Sequence, residues 1–344
     1  MTFTEIVMWL VVIFVFSVLV TGYLKRYSLK NALVDIPNER SSHTTPTPRG
    51  GGLSITLSII ICIGLLYYLN LIAANVTLAL SGGILVAVTG WLDDHDHIPA
   101  FWRALSYTIA AIWAVYWLQG LDIITLGTYV VSLPVSGSLG AVLALVWLTN
   151  LYNFMDGTDA LAATETISAG IFAGVLYLLS GQTGLALLCF SIASSSAGFL
   201  YWNWPPARIF MGDAGSCYIG FVFGVLALTG EKTGTMPIII WIILLSVFVF
   251  DATYTLLMRI IRREKWYEAH RSHAYQRLVT MNMSHSRLAM LVLGVNIGII
   301  WPAAYIAYRH SEYSFISLLM VILFMSIAWA GIQGYYNQHI TAKN

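Results

Sequence analysis

The chain has 344 residues, of which 58% are hydrophobic and only 10% are charged, and its formal net charge is +1. Because soluble domains carry roughly 25% charged residues, this composition excludes an ordinary soluble protein. The near-neutral charge excludes the basic surface of a nucleic-acid-binding protein, so we expect no nucleic-acid partner. The three cysteines lie in apolar segments without paired spacing, which favours packing roles over disulfide bonds.

Eleven apolar segments have lengths that can cross a bilayer, and they predict an all-α polytopic membrane protein. The first segment has Glu5 ahead of it and Lys25 behind it, which is typical of a retained span rather than a cleaved signal peptide. We interpret residues 1–344 as a single integral membrane domain. The predicted spans lie near residues 4–23, 52–70, 74–92, 103–119, 138–154, 160–180, 183–201, 215–230, 236–259, 288–308 and 313–333.

The distribution of basic residues predicts the orientation of these spans. With the N-terminus outside, all of the 17 Lys and Arg residues except Lys232 and Arg309 lie on the inner side. The positive-inside rule then places the C-terminus in the cytoplasm. The same orientation puts the long polar loops on the cytoplasmic face, near residues 24–51, 91–102, 150–159, 202–214 and 260–287.

Ionisable residues are scarce in the middle of the spans. Glu165 and Asp251 are the exceptions, and both lie toward the inner ends of their spans. A transport path would place such groups near the membrane midplane, so the pattern favours an enzyme over a transporter. Because no other acid accompanies Asp251, we expect this residue to be structural and bonded inside the bundle.

The first inner loop, DIPNERSSHTTPTPRGGG, is rich in hydroxyl residues, proline and glycine. It places His43 and Arg49 where charge and backbone N–H groups can bind phosphate. The alternative is a merely solvated loop whose basic residues follow the positive-inside rule.

The second inner loop, WLDDHDHIPAFWR, is acidic. Asp93, Asp94 and Asp96 directly follow an apolar span, where such a cluster is costly unless a cation offsets the repulsion. The pair Asp93 and Asp94 is a candidate for Mg2+ coordination or for a base that accepts a proton from an attacking group. The following segment, Phe101 to Arg103, is typical of an interfacial anchor.

The third inner loop, NLYNFMDGTDA, repeats polar residues at three-residue spacing. On a helix, Asn150, Asn153 and Asp156 share one polar strip. Their amide and carboxylate groups suit hydrogen bonding to a sugar, a base or metal-bound water. The alternative is an Asn-rich helix end that serves only as a C-cap.

The fourth inner loop, NWPPARIFMGDAGSC, ends with Asp213 between Gly212 and Gly215, at the predicted start of a helix. A helix N-terminus with free N–H groups binds phosphate, and one Asp beside it is the usual protein share of a Mg2+ site. Arg208 is a candidate substrate contact in the same loop. A simple N-cap role for Asp213 is the alternative.

The fifth inner loop, residues 259–287, is basic and contains HRSHAYQRL. His270 and His273 fall on one side of a possible turn, with Arg271 between them. These residues can neutralise a diphosphate opposite the acidic loops, or the loop can contact anionic lipid headgroups.

Acidic loops suited to Mg2+ and basic loops suited to phosphate share one membrane face, the combination that phosphoryl transfer requires. One substrate would be a membrane lipid and the other a cytoplasmic phosphate ester. Two alternatives stay open. An intramembrane Mg-dependent prenyltransferase would need two Asp-rich loops, and a nucleotide-sugar or lipid carrier would need no carboxylate cluster.

Five motifs, in this order along the chain, resemble the polyprenyl-phosphate N-acetylhexosamine-1-phosphate transferases (glycosyltransferase family 4). That family includes the enzymes that initiate O-antigen and enterobacterial common antigen, and the phospho-MurNAc-pentapeptide transferase. The motifs are TPRGGG (47–52), the pair Asp93–Asp94, NFMDG (153–157), FMGDAGS (210–216) and HRSHAYQ (270–276).

The resemblance implies that a lipid phosphate oxygen attacks the beta-phosphorus of a UDP-N-acetylhexosamine. UMP leaves and a polyprenyl-diphosphate-sugar forms, as the first step of O-antigen or other surface polysaccharide synthesis. The implied cofactor is Mg2+, with Mn2+ as the alternative cation, and the implied acceptor is undecaprenyl phosphate. The implied location is the bacterial inner membrane with a cytoplasmic active site, and a homodimer stays open.

The resemblance also implies residue roles. Asp213, together with Asp94, resembles the metal site, and Asp93 and Asp94 resemble the pair that deprotonates the lipid phosphate or supports the metal. Asn153 and Asp156 resemble the nucleotide-sugar contacts. The other expected substrate contacts are His43, Arg49, Asn150, Arg208, His270, Arg271 and His273.

The sequence departs from the family pattern at three places. His97 stands where the common acidic motif has a third Asp, which makes a metal role for Asp96 doubtful, and Ala160 stands where the NFMDG run usually continues with a second Gly. HRSH replaces a run of neighbouring histidines, a variant closer to the O-antigen initiating branch. The expected donors are UDP-N-acetylated hexosamines, including 6-deoxy sugars.

Overall fold

The computed structural model describes residues 2–37, 45–265 and 270–339. Two small two-stranded antiparallel sheets pair Val34 with Pro48 and Ile123 with Ser132. The strands are β1 (Val34–Asp35), β2 (Thr47–Pro48), β3 (Ile123–Leu126) and β4 (Tyr129–Ser132). The helices are α1 (Phe3–Lys30), α2 (Leu53–Tyr68), α3 (Ala74–His95), α4 (Ala100–Trp117), α5 (Ser136–Phe154), α6 (Leu161–Leu179), α7 (Thr183–Asn203), α8 (Asp213–Lys232), α9 (Ile238–Leu244), α10 (Ser246–Ile261), α11 (Ala274–Thr280), α12 (His285–Val295), α13 (Trp301–Arg309) and α14 (Ser314–His339), with a π-helical turn at Asn296–Ile300 and a 3-10 turn at Ser311–Tyr313.

This architecture confirms the predicted all-α polytopic membrane fold. Within the described ranges, eight helical segments are long and apolar enough to cross a membrane, and a ninth span results if α9 and α10 are counted together. The shorter apolar helix α2 and the helix α4 cover two further predicted spans. The total of eleven spans and the outside position of the N-terminus stay predictions.

The predicted span near 236–259 is not one straight helix. It divides at Leu245 into α9 and α10, whose directions differ by 83°. The run IIIWIILLSVFVF contains neither proline nor glycine, the usual causes of a kink, so its hydrophobicity predicted a continuous helix. Beyond the bend, α10 packs beside α5 and α14.

Helix α8 forms the core of the bundle. Almost all of its residues are buried, and it packs against α3, α5 and α2. Glycines allow main chains to touch at its first turn. A Cβ added to Gly90 on α3 would lie 2.5 Å from the Asp213 carbonyl carbon, and one added to Gly52 would lie 2.6 Å from the Cα of Gly215. The start of α8 is therefore fixed from two sides.

The polar loops meet at one end of the bundle. Side-chain contacts connect the loop after α3, the loop after α5, the loop before α8 and the segments around α11 and α12. These four regions come from distant parts of the sequence, yet the start of α8 lies at their centre. The candidate functional residues are therefore collected at one end of the helix bundle.

Glu231 connects three elements at the opposite end. Its buried carboxylate accepts a hydrogen bond from the Thr125 N–H at 2.7 Å and from the Ile238 N–H at 2.7 Å. The first bond attaches the β3–β4 hairpin, and the second attaches the start of α9. The neighbouring Lys232 adds an ion pair to Asp122 at 2.9 Å.

We expect Glu231→Gln to lower the thermal unfolding temperature of the purified protein. Glutamine keeps the shape of the side chain but has one acceptor oxygen, so one of the two N–H groups loses its partner. Such a loss costs about 1–3 kcal/mol. Glu312→Gln, at an exposed residue of the same end, is the control. An unfolding temperature equal to that of the control would contradict a stabilising role for Glu231.

Candidate active site

Asp94, at the end of α3, caps the first turn of α8. Its Oδ1 accepts a hydrogen bond from the Asp213 N–H at 3.1 Å, and its Oδ2 accepts one from the Ala214 N–H at 3.3 Å. This carboxylate satisfies N–H groups that have no partner within the helix and meets the positive end of the helix dipole. Gly212 precedes the turn with φ +77°, and a Cβ there would lie 2.5 Å from Asp94 Oδ2, so glycine is required.

Arg103 bridges two of the predicted acids. Its Nη1 lies 3.0 Å from Asp93 Oδ2 and 3.3 Å from Asp213 Oδ2. The other oxygen of Asp93 accepts the Ile98 N–H at 2.7 Å. The interfacial-anchor interpretation of Arg103 is therefore wrong: its neighbour Trp102 is exposed, but the guanidinium turns inward to neutralise two carboxylates.

The two asparagines of the third loop differ in what they contact. Asn153 donates its amide N–H to Asp213 Oδ1 at 2.7 Å and to Ser216 Oγ at 3.1 Å. Asn150 instead donates to the Val146 carbonyl of its own helix at 2.8 Å. The predicted polar strip therefore reaches the acidic cluster through Asn153.

Asp156 lies beside this cluster, on the loop between α5 and α6. Burial raises the pKa of Asp156 well above its ordinary value, and the neighbouring carboxylates of Asp213, Asp94 and Asp159 raise it further. A hydrogen bond from the Gly212 N–H acts in the opposite direction. Because the side chain is still partly exposed, a ligand can reach it.

The loop that carries Asp156 is attached at its far end by contacts that the sequence did not predict. Asp159 Oδ2 accepts the Ala207 N–H at 3.0 Å and lies 3.3 Å from His285 Nδ1. The Ala160 N–H donates to Asn203 Oδ1 at 2.8 Å. Ala160 has φ +64°, a left-handed conformation that favours glycine, which accounts for the glycine of the family pattern at this place.

The TPRGGG motif lies against the FMGDAGS motif through the backbone. The Gly51 and Gly52 N–H groups donate to the Phe210 and Met211 carbonyls at 2.9 Å and 2.8 Å. This pairing brings Arg49 close enough to interact electrostatically with Asp94. The basic first loop therefore contributes positive charge beside the acidic cluster.

The histidine segment is attached to the site by Asp251 and Tyr275. The Asp251 carboxylate accepts the Ala274 and Tyr275 N–H groups at 2.8 Å and 3.2 Å and thus caps α11, which confirms that it is bonded inside the bundle. The Tyr275 hydroxyl donates to the Phe154 carbonyl at 2.9 Å, in space that a Cβ on Gly157 would occupy. The segment therefore contacts the NFMDG loop directly.

His270 and His273 lie together, with ring centroids 4.9 Å apart. Burial lowers the pKa of His270 to about 4, and the charges of His273 and Arg259 lower it further while Asp251 opposes them. His270 is therefore neutral near pH 7. It can exchange hydrogen bonds with a ligand.

Comparison with known proteins identifies the family. The model of glycosyl transferase family 4 matches residues 76–231. A probable undecaprenyl-phosphate N-acetylglucosaminyl 1-phosphate transferase of Bacillus subtilis (strain 168) is 30% identical over 340 residues, which are 96% of this chain and 93% of that protein. The chain belongs to glycosyl transferase family 4.

Two further relatives have lower identity. The undecaprenyl-phosphate alpha-N-acetylglucosaminyl 1-phosphate transferase of Escherichia coli (strain K12) is 28% identical over 91% of this chain and 87% of its own length. The decaprenyl-phosphate N-acetylglucosaminephosphotransferase of Mycolicibacterium smegmatis is 27% identical over 79% of this chain and 75% of its own length. Membership of family 4 favours a phosphosugar transferase over the prenyltransferase and carrier alternatives.

The acidic cluster of this family 4 chain has a donor set that fits Mg2+. In the part of the chain that the structure describes, no three His, Cys, Asp or Glu side chains form a group that could hold an ion by themselves. Mg2+ commonly binds through one or two carboxylates and takes its other ligands from phosphates and water. The hard oxygens of Asp213 and Asp94, at the start of α8, suit such a cation.

Some predicted substrate contacts do not reach the acidic cluster. Arg208 is exposed and stacks on the rings of Tyr201 and Trp202, with its Cζ 4.9 Å and 4.6 Å from their centroids. Arg271 is exposed. His43 lies outside the described residues. Arg208 was predicted from its nearness to Asp213 in sequence, but the intervening turn directs it elsewhere.

We expect Arg103→Gln to reduce transferase turnover roughly 10- to 100-fold, because two close carboxylates would lose their shared cation. Arg309→Gln, which removes an exposed arginine near the opposite end, is the control and should keep wild-type turnover. Initial rates of both purified variants provide the test. Wild-type turnover in Arg103→Gln would contradict the role assigned to this guanidinium.

Proposed function

We propose that this chain transfers N-acetylglucosamine 1-phosphate from UDP-N-acetylglucosamine to undecaprenyl phosphate. A phosphate oxygen of the lipid forms a bond to the beta-phosphorus of the donor, and the bond from that phosphorus to UMP breaks. The products are UMP and undecaprenyl-diphosphate-N-acetylglucosamine. The observation that carries the proposal is the convergence of the family motifs on the start of α8, in a chain whose relatives have names that describe this transfer.

In this proposal the acids bind the metal ion, and the arginines neutralise negative charge. Asp213 and Asp94 would hold Mg2+, which would neutralise diphosphate oxygens and favour the departure of UMP. Arg103 keeps the carboxylates of Asp93 and Asp213 side by side despite their repulsion. Arg49 adds positive charge on the side of Asp94, where the phosphate of a substrate would meet the cluster.

The lipid phosphate does not require a strong general base to become a nucleophile. A phosphate monoester has a second pKa of about 6, so most of it is a dianion at neutral pH. Positioning and charge neutralisation therefore contribute more to the rate than proton removal. In this scheme Asp93 is mainly a partner of Arg103, and Asp156 contacts the nucleotide sugar together with Asn153.

The proposed setting is the cytoplasmic face of a bacterial inner membrane. The polar end of the bundle holds most basic residues, which supports that orientation, and UDP-sugars are cytoplasmic substrates. The lipid acceptor would enter from the bilayer, and the nucleotide sugar from the aqueous side. The product would begin the synthesis of O-antigen or another surface polysaccharide.

We expect purified protein to release UMP from UDP-N-acetylglucosamine only when undecaprenyl phosphate and Mg2+ or Mn2+ are present. A panel of other UDP-N-acetyl sugars, including 6-deoxy sugars, tests the donor, and EDTA tests the cation. Release from a different sugar would replace the donor but keep the reaction. Release that persists in EDTA would remove the metal from the proposal, and no release from any donor by folded protein would overturn the proposed function.

A further inference from the structure

Trp202, near the end of α7, has two cations beside its indole ring. Lys25 Nζ lies 5.3 Å from the ring centroid, and Arg208 Cζ lies 4.6 Å from it. The indole is fixed because its Nε1–H donates to the Val18 carbonyl at 2.9 Å. Gly22 on α1 makes room for the ring, since a Cβ there would lie 3.0 Å from it. The two charges are therefore held in place by packing.

Neither cation has an acidic partner among the residues that the structure describes. Two other arginines at this end differ: Arg103 pairs with two acids, and Arg259 pairs with Glu264 at 2.7 Å. Two positive charges beside one ring repel each other, and cation–π contact offsets only part of that repulsion. An anion in contact with Lys25 and Arg208 would neutralise both charges.

The surroundings of this pair indicate where the anion would come from. A groove of about 670 Å³ runs beside Arg208 and is lined by Leu200, Tyr201 and Trp204. Tyr201 and Trp204 are exposed, and exposed aromatic rings at the end of a span are typical of the membrane interface. An anion with apolar chains fits this combination better than a soluble phosphate, because the chains can lie along the groove.

We propose that Lys25, Trp202 and Arg208 form a binding site for the phosphodiester headgroup of an anionic phospholipid from the surrounding bilayer. The headgroup phosphate contacts the two cations beside Trp202, and an acyl chain follows the groove past Trp204. The site is separate from the acidic cluster, and its existence depends on the membrane location rather than on the proposed reaction.

Backbone hydrogen bonds connect this lipid site to the loop between α5 and α6, which carries Asp156 and Asp159. The Arg208 N–H donates to the Trp202 carbonyl at 2.9 Å, and the adjacent Ala207 N–H donates to Asp159. Asp159 belongs to the same loop as Asp156. A lipid that stabilises the position of Arg208 would therefore stabilise both the 204–212 segment and the Asp156 loop, so we expect anionic lipid to raise thermal stability.

Native mass spectrometry of the full-length protein, with phosphatidylglycerol and phosphatidylcholine added in turn, tests the site. We expect selective retention of phosphatidylglycerol and a higher unfolding temperature with it. The double variant Lys25→Gln/Arg208→Gln should bind phosphatidylglycerol roughly 10- to 30-fold more weakly, because each surface cation contributes several-fold. It should also lose the shift in unfolding temperature.

The matched control is Arg26→Gln/Lys30→Gln, which removes two exposed charges from the same end of α1. It should retain the lipid, since neither residue contacts Trp202 in the described structure. Equal lipid retention by both double variants would overturn the proposal, as would equal retention of the two phospholipids by the wild type. Displacement of phosphatidylglycerol from this site by undecaprenyl phosphate would also overturn it, because the ligand would then be the acceptor.

Discussion

The hydrogen bonds from the first N–H groups of α8 to Asp94 are the contacts on which the site depends. They connect the end of α3 to the most buried helix of the bundle. They also place one carboxylate under the helix start while Asp213, the first residue of α8, directs a second carboxylate sideways to Asn153 and Arg103. Because α8 is fixed by backbone contacts at Gly90, this arrangement has little freedom to relax.

The sequence predicted the helical membrane fold and much of the site. Three local patterns each indicate functional side chains at the end of a helix. They are the adjacent acids after an apolar span, the Asn and Asp at helical spacing, and the Gly-Asp at a helix start. The positive-inside rule added that these ends share one face. The structure brings together Asp93, Asp94, Asn153, Asp156 and Asp213, and it places Arg49 beside them.

Other features depend on tertiary contacts that local patterns do not encode. Arg103 follows two aromatic residues and so has the local pattern of an interfacial anchor, although its direction is set by acids on α3 and α8. Asp159 and His285 are 126 residues apart, and no motif connects them. Arg208 is near Asp213 in sequence only, and the bend at Leu245 has no proline or glycine to mark it.

Turnover of Asp213→Asn, measured beside its unfolding temperature, tests the central claim that this carboxylate carries the chemistry. We expect loss of transfer from UDP-N-acetylglucosamine to undecaprenyl phosphate in a protein that still folds, because asparagine keeps the size of the side chain. Asp94→Asn should lose both activity and stability, since asparagine leaves one acceptor oxygen for the two N–H groups at the start of α8. Asp96→Asn, at an exposed residue, should behave as wild type. Wild-type turnover in Asp213→Asn would contradict this role of the Asp213 carboxylate.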